Sequence, residues 1–277
     1  MKKMKISDAY KKAVDILSSN GFEDSVFEAD CIFEHIYSFD RIKRINRPYS
    51  EIDFSPVKVV LEKRVKGVPL QYILGKWDFY GFTYSVGEGV LIPRPETELL
   101  VEKANELLKG ENNPVIYDLC AGTGCIGLTL ARLMPESEVY LFEKSEKAFG
   151  YLKKNSKEIK NAFIVNADIF TIDCEEYKRP DFIVSNPPYI KTDEIPSLQK
   201  EVLFEPSMAL DGGKDGLDFY YLIAEKWLPV LNKGGFVAVE CGEEQADKII
   251  GLFSSQCKMT RAVKDYSGTE RIVIGEK

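Results

Sequence analysis

Val115-Ile-Tyr-Asp-Leu-Cys-Ala-Gly-Thr-Gly-Cys-Ile-Gly127 is the stretch that decides the fold. The run Val115 to Leu119 reads as a buried strand, Ala121 to Gly124 as a tight turn of small residues, and the residues from Cys125 onward as the start of a helix. In such a crossing Gly122 and Gly124 let the backbone approach a nucleoside ligand closely, and the helix N-terminus offers free N–H groups. A plain strand-to-helix connection accounts for the same residues, so the segments on either side must choose.

Downstream, strand and helix patterns alternate: a strand over Glu138 to Phe142, a helix from Glu146, a strand over Ala162 to Val165, another over Asp181 to Ser185, a helix over Leu217 to Leu231 and a strand over Gly235 to Cys241. Alternation of this kind calls for a parallel sheet covered by helices on both faces. Strands near Met259 to Val263 and Arg271 to Ile274 leave no room for a crossover helix, so they must pair antiparallel. The expected architecture is α/β: a seven-stranded, mostly parallel sheet with an antiparallel last strand.

Upstream, a helix begins at Pro95, and Trp77 to Tyr84 alternate aromatics around Gly81 as a short hairpin would. From Ser7 to about Gly67 the pattern is helical. Ser7 is expected to cap a helix ending near Gly21, a second helix follows Asp24 with Val26, Ala29, Phe33 and Ile36 on its apolar face, and Ser55-Pro56 opens a third that stops at Gly67. The expected organisation is a small all-helical N-terminal domain over residues 1–75, a hairpin linker over 76–88 and the α/β domain over 89–277.

The formal charge of −7 lacks the basic surplus with which proteins grip nucleic-acid phosphates, so no direct nucleic-acid binding is expected. The opening MKKMKISDAYKK is too polar for a secretory signal, and no apolar run approaches the ~20 residues that span a bilayer; the expectation is a cytoplasmic protein with no membrane partner. Cys31, Cys120, Cys125, Cys174, Cys241 and Cys257 show no CxxC pairing, which suits reduced thiols rather than a zinc site, so neither a metal nor a disulfide is expected. The single histidine, His35, reads as a partly buried packing residue of its helix.

Two acids give the glycine turn a ligand. Glu143 closes the second strand, 25 residues after Asp118, where a carboxylate can accept both hydroxyls of a ribose. Asp168 follows the third strand and can accept from an adenine amine, with Ile169 beside it to cover the ring. Together they point to an adenosyl ligand, and the register of Asp118, Gly122, Gly124 and Gly127 favours S-adenosylmethionine over a dinucleotide, whose loop more often reads GxGxxG.

Asp181-Phe-Ile-Val-Ser-Asn-Pro-Pro-Tyr189 ends its strand in Asn186-Pro187-Pro188-Tyr189, at the edge where open parallel sheets bind ligands. Two prolines remove backbone donors and stiffen the loop. What remains are acceptors, the Asn186 side-chain oxygen and the Pro187 carbonyl, which together fix the plane of an NH₂ group. Tyr189 can stack on a planar acceptor and lie near a cationic sulfur. An amide nitrogen is a poor nucleophile, so alignment by fixed dipoles is the main catalytic task, and Asn186, Pro187 and Tyr189 are the candidate catalytic residues.

At this point the chain resembles the PrmC/HemK family of protein-(glutamine-N5) methyltransferases. Pro69-Leu-Gln-Tyr-Ile-Leu-Gly75, Val90-Leu-Ile-Pro-Arg-Pro-Glu-Thr-Glu98, Asn186-Pro-Pro-Tyr189, Phe204-Glu-Pro206, Gly213-Lys-Asp-Gly216 and Glu240-Cys-Gly242 occur in family order. The resemblance implies a Rossmann-like class I S-adenosylmethionine-dependent methyltransferase domain acting on the glutamine of a peptide chain release factor's Gly-Gly-Gln loop. It further implies that Cys120, Ala121, Gly122, Thr123, Gly124, Glu143, Ile169 and Asn186 contact the cofactor, and that Asn186, Pro187, Pro188 and Tyr189 hold the glutamine amide. The helical domain would help hold the release factor. Arg94 would shape the site or pair with Glu96 or Glu98. Cys120 stands where relatives often have glycine, which excludes a glycine-only backbone angle there. Glu143 stands where they have aspartate, and Ile169 replaces an aromatic ring found in some.

Three other readings remain in view. A ribosomal-protein glutamine methyltransferase shares the Ile-Pro-Arg-Pro and Asn-Pro-Pro-Tyr segments. An adenine-N6 or cytosine-N4 DNA methyltransferase could clamp a flipped base's amine with the same tetrapeptide, but the chain shows no target-recognition domain. A catalytically silent adaptor would keep the fold without needing the acceptor tetrapeptide and cofactor acids together.

Overall fold

The computed structural model describes residues 3–277 and divides into two compact units, one holding the residues up to Gly75 together with Lys200–Phe204, the other Lys76–Gln199 and Glu205–Lys277.

The first unit contains β1 (Lys3–Lys5), α1 (Ile6–Ser19), α2 (Ser25–Tyr37), α3 (Arg41–Asn46), β2 (Glu51–Asp53), α4 (Ser55–Val65) and α5 (Leu70–Leu74). Its core forms where the apolar stripes of α1, α2 and α4 meet, through Ile6, Ala9, Ala13, Leu17, Ala29, Ile32, Phe33, Val57 and Leu61. Ser7 does not cap α1. The helix begins one residue earlier, and the first amides of Ile6 and Ser7 are taken by the carbonyls of Ser50 and Pro48, next to the β1–β2 pairing that the local pattern did not reveal. On α2 the inward phase runs through Ser25, Glu28, Ala29, Ile32 and Phe33, which leaves Val26 and His35 exposed, contrary to the packing expected of both. Glu28 tolerates burial because Arg64 binds it through Nε and a terminal nitrogen, both at 2.7 Å, and Arg64 also reaches Glu201 at 2.7 Å within the same unit.

The second unit opens with a hairpin, β3 (Lys76–Phe79) and β4 (Phe82–Ser85), joined by Tyr80-Gly81 with both φ angles positive, as a two-residue turn of the right twist requires. Phe79 and Tyr84 are buried in the α/β core, so the hairpin packs as part of this unit. There follow a 3-10 turn (Pro95–Thr97), α6 (Glu98–Leu107), β5 (Val115–Leu119), α7 (Cys125–Leu133), β6 (Glu138–Glu143), α8 (Glu146–Asn155), β7 (Ala162–Asn166), β8 (Phe182–Ser185), α9 (Asp218–Leu222), β9 (Phe236–Glu240), α10 (Ala246–Phe253), β10 (Met259–Lys264) and β11 (Glu270–Glu276), with further short 3-10 turns in the connections.

The sheet order is β10-β11-β9-β8-β5-β6-β7, with β11 antiparallel to both neighbours and the remaining pairs parallel. This is the seven-stranded class I methyltransferase architecture anticipated above. Successive residues of the central strands serve opposite cores: Ile116, Phe182, Val184 and Ala238 on one face, Tyr117, Ile183, Val237 and Val239 on the other. The helix expected over Leu217 to Leu231 is broken instead into α9, a π turn (Ile223–Trp227) and a 3-10 turn (Leu228–Val230). Pro229 cannot donate to the carbonyl four residues back, so the regular ladder cannot pass through it.

Candidate active site at the carboxyl edge of the sheet

The connections leaving β5 and β8 run in opposite directions from adjacent strands, which opens a crevice at their carboxyl ends. Leu119 and Ser185 are register partners, and Ser185 Oγ donates to the Leu119 carbonyl at 2.6 Å. The loop at 120–124 and the loop at 186–189 therefore start side by side. Ala121 N–H donates to the Phe142 carbonyl at 3.0 Å, which brings the end of β6 alongside as well.

Cys120 adopts φ +64°, a left-handed angle that a side chain tolerates rather than a glycine-only one. Ala121 and Thr123 are buried, and the Thr123 carbonyl accepts from Asn155 Nδ2 at 2.9 Å. The two glycines differ. A Cβ on Gly124 would strike Leu152 at 2.5 Å and Leu128 at 2.8 Å, whereas one on Gly122 would meet only a Val90 methyl at 3.9 Å. Gly124 serves packing, while Gly122 borders open space.

Glu143 lies beneath this turn. Its Oε2 accepts from Gly122 N–H at 2.8 Å and its Oε1 from Ser145 N–H at 2.6 Å; burial raises its pKa despite those bonds. Asp118 is wholly buried and pushed up to about 7 by burial, with Gly127 N–H on Oδ2 at 2.8 Å opposing the rise and Oδ1 lacking any hydrogen-bond partner. Asp168 is different: burial works upward, but an ion pair with Lys144 at 2.8 Å and Phe170 N–H at 2.9 Å hold it below the ordinary range. Ile169 is 4% exposed and packs into the core that holds Phe142 and Trp227. The Glu143 carboxylate pushes Asp118 up further, and after burial both acids raise the Cys120 thiol. An orphaned carboxylate oxygen, a paired acid and a glycine facing free space together fit a cationic nucleoside such as S-adenosylmethionine.

The acceptor loop is held rigidly. Pro187 and Pro188 are buried, Ile190 exchanges backbone hydrogen bonds with Leu210 and Gly212, and Gln245 Nε2 donates to the Tyr189 carbonyl at 2.9 Å. Gly212 and Gly216 must lack side chains, since a Cβ would meet Tyr189 Cα at 2.7 Å and the Tyr189 carbonyl at 2.5 Å respectively. Asn186 Nδ2 donates to Thr97 Oγ1 at 3.1 Å, and Thr97 donates onward to Glu240 Oε2 at 2.6 Å. Tyr189 donates to Glu240 Oε1 at 3.4 Å, and burial raises its phenol pKa. Because the Asn186 nitrogen faces Thr97, its carboxamide oxygen points the other way and is the atom open to a ligand's donor.

Arg94 pairs with neither Glu96 nor Glu98. It binds Glu205, whose other oxygen accepts from Ile92 N–H at 2.9 Å, while Glu98 accepts from Tyr80 N–H at 2.7 Å. Sequence reasoning thus missed the partners Thr97, Glu205, Glu240 and Gln245. Their signal was that three of them fall inside the quoted segments ending at Glu98, Pro206 and Gly242.

Comparison with known proteins bears on this geometry. Residues 8–75 match the PrmC N-terminal domain and residues 95–213 the methyltransferase small domain. The chain is 38% identical to the release factor glutamine methyltransferase of Thermodesulfovibrio yellowstonii over 96% of this chain and 98% of that one. It is 34% identical to the release factor glutamine methyltransferase of Clostridium acetobutylicum over 98% of each chain. Among solved structures, a methyltransferase from Pyrococcus furiosus superposes with a TM-score of 0.52 at 17% identity, covering 80% of this chain and 96% of that one, which supports the fold.

Proposed function

The chain belongs to the release factor glutamine methyltransferase family, and from that premise we propose that it moves the methyl group of S-adenosylmethionine onto the side-chain amide nitrogen (N5) of the glutamine in a release factor's Gly-Gly-Gln loop. The observation that carries the reading is the shared origin of the two loops at the neighbouring strand ends Leu119 and Ser185.

Cys120 to Gly124 cradle the cofactor's backbone-facing side, Glu143 accepts from the ribose hydroxyls, Asp168 from the adenine amine, and Ile169 lines the ring. When bound, the cofactor supplies an electrophilic methyl carbon on a cationic sulfur. Asn186 Oδ1 and the Pro187 carbonyl accept from the two N–H bonds of the glutamine amide, which fixes its plane. Pro188 stiffens the loop, and the Tyr189 ring covers the planar acceptor. Two acceptors on the NH₂ draw electron density toward nitrogen and aim its lone pair, which offsets the delocalisation into the carbonyl. No strong general base is needed, because the proton becomes acidic only as the N–C bond forms. The helical unit holds the release factor, and the reaction belongs to the cytoplasm.

Incubation with methyl-labelled S-adenosylmethionine and, separately, release factor, ribosomal proteins and DNA tests this reading. Label is expected on N5 of the release factor glutamine; label on another macromolecule, or on an oxygen or carbon, overturns it.

A further inference from the structure

Thr97 and Glu240 are each 2% exposed, and neither touches the open side of the pocket, yet both are wired to Asn186. A hydroxyl carries one hydrogen. Thr97 gives it to the Glu240 carboxylate at 2.6 Å, so toward Asn186 it can only accept, and the NH₂ end of that carboxamide must face it.

We propose that Thr97 and Glu240 are positioning residues whose hydrogen-bond relay decides which end of the Asn186 carboxamide faces the substrate amide, and that protonation of Glu240 reverses the relay. This rests on the reading that Asn186 Oδ1 accepts from the glutamine NH₂. With Glu240 ionised, every donor in the chain points toward the carboxylate and the Asn186 oxygen is free for substrate. With Glu240 protonated, its O–H donates to Thr97, Thr97 donates to Asn186 Oδ1, and the carboxamide turns its NH₂ toward the substrate NH₂. Donor then faces donor, and the pocket no longer aligns the nucleophile.

The groups around Glu240 set where this reversal falls. Thr97 and Glu96 face it from the turn before α6, Tyr189 from the acceptor loop, Arg271 from β11, Cys125 from α7 and Cys241 beside it, and the Tyr220 hydroxyl holds its backbone carbonyl at 2.7 Å. Burial raises the carboxyl, while the Thr97 bond, Arg271 and Tyr189 restrain it, leaving a value of about 7. Methyl transfer is therefore expected to fall as pH drops through neutrality.

The test uses the full chain and full-length release factor. In Thr97→Val, which keeps the shape and removes the hydroxyl, kcat is expected to fall roughly 10- to 100-fold with little change in KM or in cofactor affinity by calorimetry, and Thr97→Ser is expected to recover most of it. The acid limb of the wild-type profile should vanish in Thr97→Val and in Glu240→Gln. An acid limb that persists in Thr97→Val, or a wild-type kcat there, overturns the relay. The wild-type protein offers a reading independent of turnover: the Asn186 side-chain NH₂ resonance, assigned by its loss in Asn186→Ala, should titrate with a midpoint near pH 7. A resonance that does not move between about pH 6 and pH 8 also overturns it. If the wild type methylates no glutamine, the functional reading fails while the resonance still reports on the relay.

Discussion

Glu143 Oε2 accepts a 2.8 Å hydrogen bond from Gly122 N–H, so the acid that closes β6 also braces the turn that follows β5. One carboxylate thereby braces the turn, and in the proposed function the same group accepts from the ribose hydroxyls. The binding surface is fixed before any ligand arrives, which lowers the ordering cost of binding.

Glu143→Ala removes the proposed ribose acceptor and that brace together. A charge-assisted contact of this kind contributes about 1.5–3 kcal/mol, so the dissociation constant for S-adenosylmethionine should rise roughly 10- to 150-fold. Calorimetry on the purified variant checks this, and an unchanged dissociation constant removes Glu143 from the cofactor site.

Asn186→Ala deletes one of the two oxygens assigned to the glutamine amide. Turnover should drop by roughly 100-fold or more, because lost alignment acts on the reacting nitrogen itself. Folding should suffer little, since the side chain is half-buried and its bond to Thr97 is worth about 1 kcal/mol. Single-turnover transfer at near the wild-type rate would refute the role.

How much of this was legible in the sequence depends on how local the cause was. The strand from Val115 to Leu119 and the antiparallel final hairpin follow from patterns within a few residues, and the structure has them, whereas the bond between Gly122 and Glu143, 21 residues apart, was not legible there. The partners of the acceptor loop were not either: Asn186 and Thr97 are 89 residues apart and Thr97 and Glu240 are 143 apart, and no short-range spacing encodes such bonds. For Arg94 the sequence offers Glu96 and Glu98, two and four residues away, as partners, but a buried carboxylate 111 residues away, Glu205, competes better. The left-handed angle at Cys120 costs a non-glycine residue only about 1–2 kcal/mol, which the surrounding sheet hydrogen bonds can absorb.

Alanine at two glycines of the same motif should separate ligand effects from folding effects. In Gly127→Ala the new methyl meets Leu141 at 2.7 Å and the buried Asp118 carboxylate at 2.8 Å, so the protein should lose stability by about 1–3 kcal/mol. In Gly122→Ala no atom beyond the chain neighbours lies closer than 3.9 Å, so no clash arises, but the φ of +58° costs about 1–2 kcal/mol of stability, and cofactor affinity should fall in addition. Thermal melts and calorimetry on both variants decide it; a Gly122→Ala variant that binds the cofactor normally would show that the ligand does not approach this turn.

Asp118 makes the ligand-free protein's stability depend on pH. Its carboxyl is raised in the folded chain to about 7 by burial, while in the unfolded chain it titrates as an ordinary aspartate, so between those two values only the folded state holds the proton. The sign follows: the contribution is complete below the unfolded value and is lost as pH rises through the folded one. From about pH 8 down to about pH 5.5 it amounts to about 2 kcal/mol of added stability. Glu240, raised to about 7 as well, acts in the same direction. Asp118→Asn keeps an acceptor for Gly127 N–H and removes the ionisation, so denaturant titrations at the two pH values should show a smaller difference than the wild type, by about 2 kcal/mol, with the variant the more stable protein near pH 8. An equal pH difference in the two proteins would mean that Asp118 is already neutral, or already solvated, at both.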